Sequence, residues 1–542
     1  MRGRRSTASD VGLVNMPEYP LVLTKFLLRA RDFFPGKEIV SYGDEVVRYT
    51  YADYAQRVHR LAGALTELGV GRGDRVATFA WNHHRHLELY FAVPAVGAVL
   101  HTLNIRLSQD DIGYILDHAG DRVVFVDESL LPQIRPVLDA RPAIKVVVMR
   151  DRPGDGPDGY PGYEELLARA RPVTEFPPTA EEELAVLCYT SGTTGRPKGV
   201  PYTHRTLFLH TFAACLADGH AISERDTVLH VVPMFHANAW GVPFAATMVG
   251  AKQVLPGARP TPERIAELIE REGVTYTGMV PTVAADLLRH VKETGRRVST
   301  LRALVLGGSP PSPALVRELE QVLKVPVYQG WGMTELSPMA SYGRITAGED
   351  DGAADITQGR LLPGLEWKLL DDADGELPWD GTSRGELVIR GPWAATRYYR
   401  DESPESFWNG WLRTGDIATI DPAGRLRIVD RKKDLIKSGG EWISPADLEA
   451  ALLEHPEVGE AAVVGVQHPR WQERPVALVV PREGHRVDEE ALRRSLADRF
   501  ARWWQPDRIL VVDELPRTGV GKIDKRALRR RYARILLDER PG

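Results

Sequence analysis

The sequence predicts an α/β protein: a large N-terminal domain of layered sheets, then a small α+β C-terminal domain. Three observations predict it. Strand-like apolar runs ("RVATFAW", "RVVFVD", "IKVVVMR", "LAVLCYT", "VTYTGMV", "ALVLGG") alternate with helix-period stretches such as "PERIAELIEREG", which argues for α/β layers around parallel sheets. The alternation restarts on a smaller scale after Asp430. At 542 residues with 43% hydrophobic content, the chain is long enough to bury more than one core.

From the N-terminus, "TYADYAQRVHRLAGALTELGV" places Tyr54, Val58, Leu61, Leu65 and Leu68 at helical spacing, with Thr50 as N-cap and Gly69 closing the end. The apolar run "LYFAVPAVGAVLHTL" falls short of the roughly 20 residues of a membrane span, so no integral membrane segment is expected. "DRPGDGPDGYPG" reads as loop, and "THRTLFLHTFAACLA" as helix. Near the end, "SPADLEAALLEH" opens a helix with Ser444 as N-cap and Pro445 at the first helical position. "EAAVVGV", "RPVALVV" and the helix-period "DEEALRRSLADRFA" follow. The expected domains are residues 1–429 and 430–542. Their join, "IVDRKKDLIKSGGEW", is charged and glycine-containing and is expected at the surface.

With 69 Lys+Arg against 74 Asp+Glu, the net charge of -5 gives no electrostatic case for a nucleic-acid partner. Cys188 and Cys215 are too few for a disulfide framework or a thiolate metal site. Together with a start, "MRGRRSTASD", that lacks a signal-like apolar stretch, they favour a reducing, cytoplasmic location.

The most informative stretch is "YTSGTTGRPKGV", Tyr189 to Val200. Its glycines let backbone approach a ligand, its hydroxyls and amides donate to phosphate oxygens, and Arg196 and Lys198 offset charge. Pro197 stands where G-x-x-x-x-G-K-[ST] wants its second glycine, so the P-loop fold is not implied. A strand-like run precedes the loop and a helical one follows, the usual ligand position in α/β proteins.

The chain resembles the adenylate-forming enzymes, which include acyl-CoA synthetases, aryl-CoA ligases, luciferases and peptide-synthetase adenylation domains. After the loop come "VVPMFHANAWG" (231–241), "YQGWGMTE" (328–335), "GWLRTGDIA" (410–418), "DRKKDLIKSGGEWIS" (430–444) and "PRTGVGKIDK" (516–525), in the family's order. "MFHANAW", "SGGEWIS" and "HPRWQERP" are most similar to medium- and long-chain fatty acyl-CoA ligases.

That resemblance implies a carboxylic acid activated by ATP as acyl-adenylate, then transferred to CoA. It implies Mg²⁺, a mobile small domain and a homodimer. By the same resemblance Lys522 bridges carboxylate and α-phosphate, while Ser191, Gly192, Thr193, Thr194, Gly195 and Lys198 hold pyrophosphate. Glu335 helps hold Mg²⁺, and Thr334 contacts the α-phosphate. Asp416 accepts from the ribose hydroxyls, with Arg431 nearby. Gly307, Gly308 and Ser309, with Tyr328, Gln329, Gly330, Trp331, Gly332 and Met333, correspond to the adenine-side walls; Pro310 and Pro311 stand where many relatives have small residues. His236 lies beside the acyl carbonyl, and Trp240 gates the acyl tunnel. Asp430 is the hinge about which Gly439, Gly440 and Glu441 turn toward the site, with Lys437 and Trp442 near the CoA channel.

Two other readings stay open at this level. One is an adenylating enzyme of secondary metabolism using an aryl acid, another acid or even nitrite, with or without a non-CoA acceptor; the other is a catalytically dead sensor.

Overall fold

The computed structural model describes residues 19–537 except 153, 191–195, 259, 346–355, 401–402, 439–440, 498 and 518–522, with backbone alone at 158 and 441. Four sheets organise the described residues. The largest has a parallel core, in spatial order Glu38–Tyr42, Lys252–Leu255, Thr227–Leu229, Tyr276–Met279, Ala303–Leu306 and Val327–Gly332. Antiparallel strands flank it: Val46–Thr50 at one edge, Met339–Arg344 and Arg360–Leu361 at the other. A second sheet is parallel through Lys145–Met149, Asp121–Asp127, Arg75–Phe79, Val99–Thr102 and Leu184–Tyr189, and ends in antiparallel Gly199–Thr203.

The two sheets share one apolar core. Ile39 and Leu255 from the first and Val76 and Phe125 from the second pack with the helices Thr24–Phe33, Tyr51–Glu67 and His84–Ala95. Helix Tyr51–Glu67 starts as its sequence requires: Thr50 accepts from the Asp53 amide, and Asp53 accepts back from the Thr50 amide at 3.0 Å. It buries Tyr54, Val58, Leu61 and Leu65. Each such side chain contributes about 1.5–3 kcal/mol. The run "LYFAVPAVGAVLHTL" supplies the rest of the buried helix His84–Ala95 and strand Val99–Thr102. Among the described residues no helix is long and apolar enough to cross a membrane.

Three expectations need correction. The sheets are mixed, and an antiparallel sheet of Glu366–Leu370, Gly385–Arg390, Phe407–Trp408, Trp411–Ile420 and Leu426–Arg431 was not anticipated. The phosphate-type loop is followed by strand Gly199–Thr203 before helix His204–Cys215 begins. The join is not uniformly exposed: Asp430 is 7% exposed. Its charge is tolerated because Oδ1 accepts the Arg431 amide at 2.7 Å and Oδ2 accepts the Ala446 amide at 3.0 Å, at the N-terminus of helix Pro445–Leu453.

The smaller C-terminal domain is built on Val458–His468 paired antiparallel with Gln472–Pro481. The hairpin Ile436–Ser438/Glu441–Ile443 and strand Arg508–Val511 lie on the other edge of Gln472–Pro481. Ser444 caps helix Pro445–Leu453 through the Asp447 amide. Helix Glu489–Ala497 packs its Leu492 and Leu496 into the same core.

Candidate active site

The candidate residues come from strand ends and the loops after them. Strand Leu184–Tyr189 leads into 191–195, and the neck of that loop is tied by the Thr190 amide to the Lys198 carbonyl (2.9 Å) and the Lys198 amide to Thr190 Oγ1 (3.2 Å). Ser191, Gly192, Thr193, Thr194 and Gly195 lie outside the described residues, as do Gly439, Gly440 and Lys522. Lys198 Nζ donates to Ser403 Oγ at 2.5 Å, sits 3.8 Å from Glu405 and lies 4.8 Å from the Tyr398 ring centroid. Arg196 instead stacks over Tyr114.

Tyr398 links this lysine to Glu335: its hydroxyl donates to Glu335 Oε1 at 2.8 Å. Glu335 lies in the buried turn Thr334–Leu336 after strand Val327–Gly332, and Tyr202 donates to the Thr334 carbonyl. Burial raises the Glu335 pKa, while the Tyr398 hydrogen bond and the charges of Arg431 and Lys198 pull it back. One buried carboxylate fits Mg²⁺ arriving on a nucleotide, since that ion commonly takes one or two carboxylates plus phosphate oxygens and water. A cage made of protein alone does not fit: among the described residues no three His, Cys, Asp or Glu converge.

A second centre joins the antiparallel sheet to the same strand end. Asp416 and Arg431 are cross-strand partners; Arg431 Nε lies 2.7 Å from Asp416 Oδ1, and Trp331 Nε1 donates to Oδ2 at 3.1 Å. Each carboxylate oxygen has a second lone pair, so a vicinal diol can still be accepted here. Tyr328 stacks on Tyr342 at 5.2 Å, and Gln329 is buried. Gly307 and Gly308 follow strand Ala303–Leu306, and Gly308 adopts φ 84°; Ser309, Pro310 and Pro311 lead to helix Pro313–Leu323.

Trp240 lies across glycine backbone, at Gly278 in strand Tyr276–Met279 and at Gly307 just after strand Ala303–Leu306. A Cβ on Gly307 would come within 2.8 Å of its ring, and one on Gly278 within 3.1 Å. Trp240 is held by a left-handed turn in which Ala237, Asn238, Ala239 and Trp240 have φ of 42°, 52°, 49° and 60° before Gly241 at 76°. Left-handed backbone costs roughly 1–2 kcal/mol per non-glycine residue, so neighbouring structure must hold this turn. Asn238 is one anchor, fully buried, with Oδ1 3.5 Å from Cys188 Sγ. His236 is half-buried at the start of the turn, its carbonyl accepting the Ala239 amide at 3.0 Å.

In the small domain Lys437 lies over the Trp442 ring at 5.3 Å, and Trp442 is 40% exposed. Glu441 is its neighbour in strand Glu441–Ile443. Sequence reasoning missed what lies beside this hairpin: a polar cavity of about 450 Å³ lined by His468, Arg474, Arg493, Arg502, Asp507 and Arg508. Arg474 is buried there, with Nη2 2.6 Å from Asp507 and Nη1 donating to Ser438 Oγ at 3.1 Å. It also missed Tyr398. The excess of arginine over acid between 468 and 508 was a usable signal; Tyr398 offered none beyond an aromatic pair.

Comparison with known proteins agrees with this geometry. Residues 28–399 match the family described as AMP-binding enzyme, and 447–522 match the AMP-binding enzyme C-terminal domain. A long-chain-fatty-acid–CoA ligase of Thermus thermophilus is 47% identical over 98% of this chain and 99% of its own. A medium-chain-fatty-acid–CoA ligase of Ectopseudomonas oleovorans is 40% identical over 97% and 98%. The crystal structure of the anthranilate CoA ligase AuaEII in complex with anthranoyl-AMP superposes with TM-score 0.86 at 25% identity, covering 97% of this chain and 99% of that one. The chain belongs to the AMP-binding enzyme family and is an ATP-dependent acid–CoA ligase working through an acyl-adenylate.

Proposed function

We propose that the acid is a medium- or long-chain fatty acid. The observation carrying this reading is the Trp240 ring laid over Gly278 and Gly307, where side chains would otherwise fill the space. Small side chains, among them Ala245, Ala246 and Ala303, share the apolar cluster against which Trp240 packs. An indole that moves aside uncovers apolar wall suited to an alkyl chain. The full-length likeness to fatty-acid–CoA ligases supports the same reading. Burying each added methylene contributes about 0.8 kcal/mol, roughly a fourfold preference per carbon. Likeness to the anthranilate ligase favours an aryl acid as the second reading.

Thioester formation from a ladder of saturated fatty acids and several aromatic acids, with ATP, Mg²⁺ and CoA, tests it by product mass. A maximum of kcat/KM at medium or long chains is expected; a maximum among aromatic acids would overturn the chain-length assignment.

We assign the steps as follows. Lys198, with 191–195, holds the leaving pyrophosphate, and Glu335 would help hold the Mg²⁺ that offsets its charge. Thr334 meets the α-phosphate, while Asp416 and Arg431 hold the ribose. Lys522 draws the carboxylate onto the α-phosphate, and His236 sits at the acyl carbonyl. The small domain then turns about Asp430, the proposed boundary, and presents 439–441 to the adenylate. Lys437 and Trp442 line the path of the CoA arm, and the arginine-lined cavity takes CoA phosphate groups. Reversing charge at the exposed Arg502 and Arg508 (R502E/R508E) is expected to raise the KM for CoA about tenfold, as two weakened surface ion pairs of up to about 1 kcal/mol each allow. Acid-dependent ATP–pyrophosphate exchange should stay unchanged in that variant. An unchanged KM for CoA would remove the cavity from the site.

A further inference from the structure

Lys525 stands three residues after Lys522, and the described residues around it form a tight anchor. Arg517 and Ile523 make an isolated antiparallel bridge across 518–522, and the Asp524 amide donates to the Pro516 carbonyl at 2.7 Å. Asp524 then caps helix Lys525–Tyr532 through the Ala527 amide at 2.9 Å. Lys525 Nζ lies 2.7 Å from Glu449 Oε1, with each side chain only 17% exposed. Glu449 also accepts the Val463 amide at 2.6 Å. It belongs to helix Pro445–Leu453, whose N-terminal amide at Ala446 is held by Asp430. The Asp430 carboxylate acts on Lys525 through space as well, so this largely enclosed cation feels a carboxylate of the small domain and one at the join. Arg529 to Asp434, 2.7 Å, is a second tie across the same contact.

A largely enclosed ion pair of this kind is poorly explained by stability alone, because well-packed apolar residues of similar size often do as well or better. What the charge-assisted contact supplies is a short, strong tie between the two elements, here 2.7 Å. We propose that Glu449 and Lys525 are positioning residues for adenylation: they fix the segment that carries Lys522 relative to the Asp430 join, so that the lysine enters the site in register. This inference rests on the roles proposed above for Lys522 and Asp430. Misplacing a reacting group by about 1 Å can cost about a hundredfold in rate, which is the scale at which a neutralised anchor should be felt.

The test separates the two half-reactions. Glu449→Gln removes the charge, and the double variant Glu449→Leu/Lys525→Met replaces the pair with apolar side chains of similar size, guarding against loss of the fold. Acid-dependent ATP–pyrophosphate exchange reports adenylation, and thioester formation from preformed acyl-adenylate and CoA reports the second half. Exchange is expected to fall 10- to 100-fold in both variants, with thioester formation within twofold of wild type and the thermal midpoint of the double variant retained. Exchange within twofold of wild type, or an equal fall of both halves, would overturn the positioning role. No exchange by the wild-type enzyme with any acid would overturn the adenylation reading itself, and this inference with it.

Discussion

Replacing Lys522 by alanine is expected to lower acid-dependent ATP–pyrophosphate exchange about a thousandfold and to leave thioester formation from supplied acyl-adenylate within a fewfold of wild type. The reaction brings an anionic carboxylate onto an anionic phosphate while charge flows to pyrophosphate. A cation about 4 Å from both, in an effective dielectric near 20, is worth about 4 kcal/mol per contact. If about that much is realised only in the transition state, the rate changes about a thousandfold. ATP binding should persist, because Lys198, Asp416 and Arg431 are untouched. Lys522→Arg is expected to recover little, since a planar guanidinium cannot place one donor where an ammonium stood. Exchange reduced by less than tenfold would assign the role to another cation. Equal loss in both half-reactions would point to a folding defect rather than to chemistry.

How much was legible in the sequence depended on the range of the interaction. Local signals carried well: Thr50 and Ser444 cap the helices their positions indicated, and the strand-like runs became strands. Strand Gly199–Thr203 was missed because five residues including Pro201 hardly alternate, and its pairing with Leu184–Tyr189 depends on the intervening loop. The antiparallel sheet of 366–431 was missed for a similar reason: "EWKLL" and "GELVIR" are short and set among turns. Asp430 reads as a surface charge until helix Pro445–Leu453 brings its N-terminus to it. The left-handed turn before Gly241 has no sequence signature, since three of its four preceding residues are alanine or tryptophan. Motif matching put Glu335, Asp416, Arg431 and Lys198 on one list; only the fold shows that Tyr398 is the group between Lys198 and Glu335.

Acidification from pH 7.5 to 5.5 should destabilise the large domain strongly, well before carboxylates with ordinary or depressed pKa values titrate. Burial pushes His210 and His220 down to about 3, and His86, His204 and His230 down to about 4. In the unfolded chain each returns to about 6.5. A depressed histidine contributes stability fully present above the unfolded value and lost as pH falls toward the folded one, because the unfolded chain then binds the extra proton. At pH 5.5 each is worth about 1.4 kcal/mol, and the five together about 7 kcal/mol, comparable with the whole stability of many domains. Burial acts in the opposite sense on Glu335, Asp430, Asp447 and Glu449, whose pKa values are raised, so protonating them in the folded state relieves strain on acidification. Each of those carboxylates is partly compensated by a cation or hydrogen bond, whereas His210 keeps a buried Nδ1 without a hydrogen-bond partner and has none to favour its charged form. Urea unfolding followed from pH 7.5 to 5.5 should therefore steepen toward a net uptake of up to about 4.5 protons at pH 5.5, reduced by whatever the four raised carboxylates release. His210→Gln should remove about one of them. A stability independent of pH across that range would mean that these imidazoles are not held neutral by the fold.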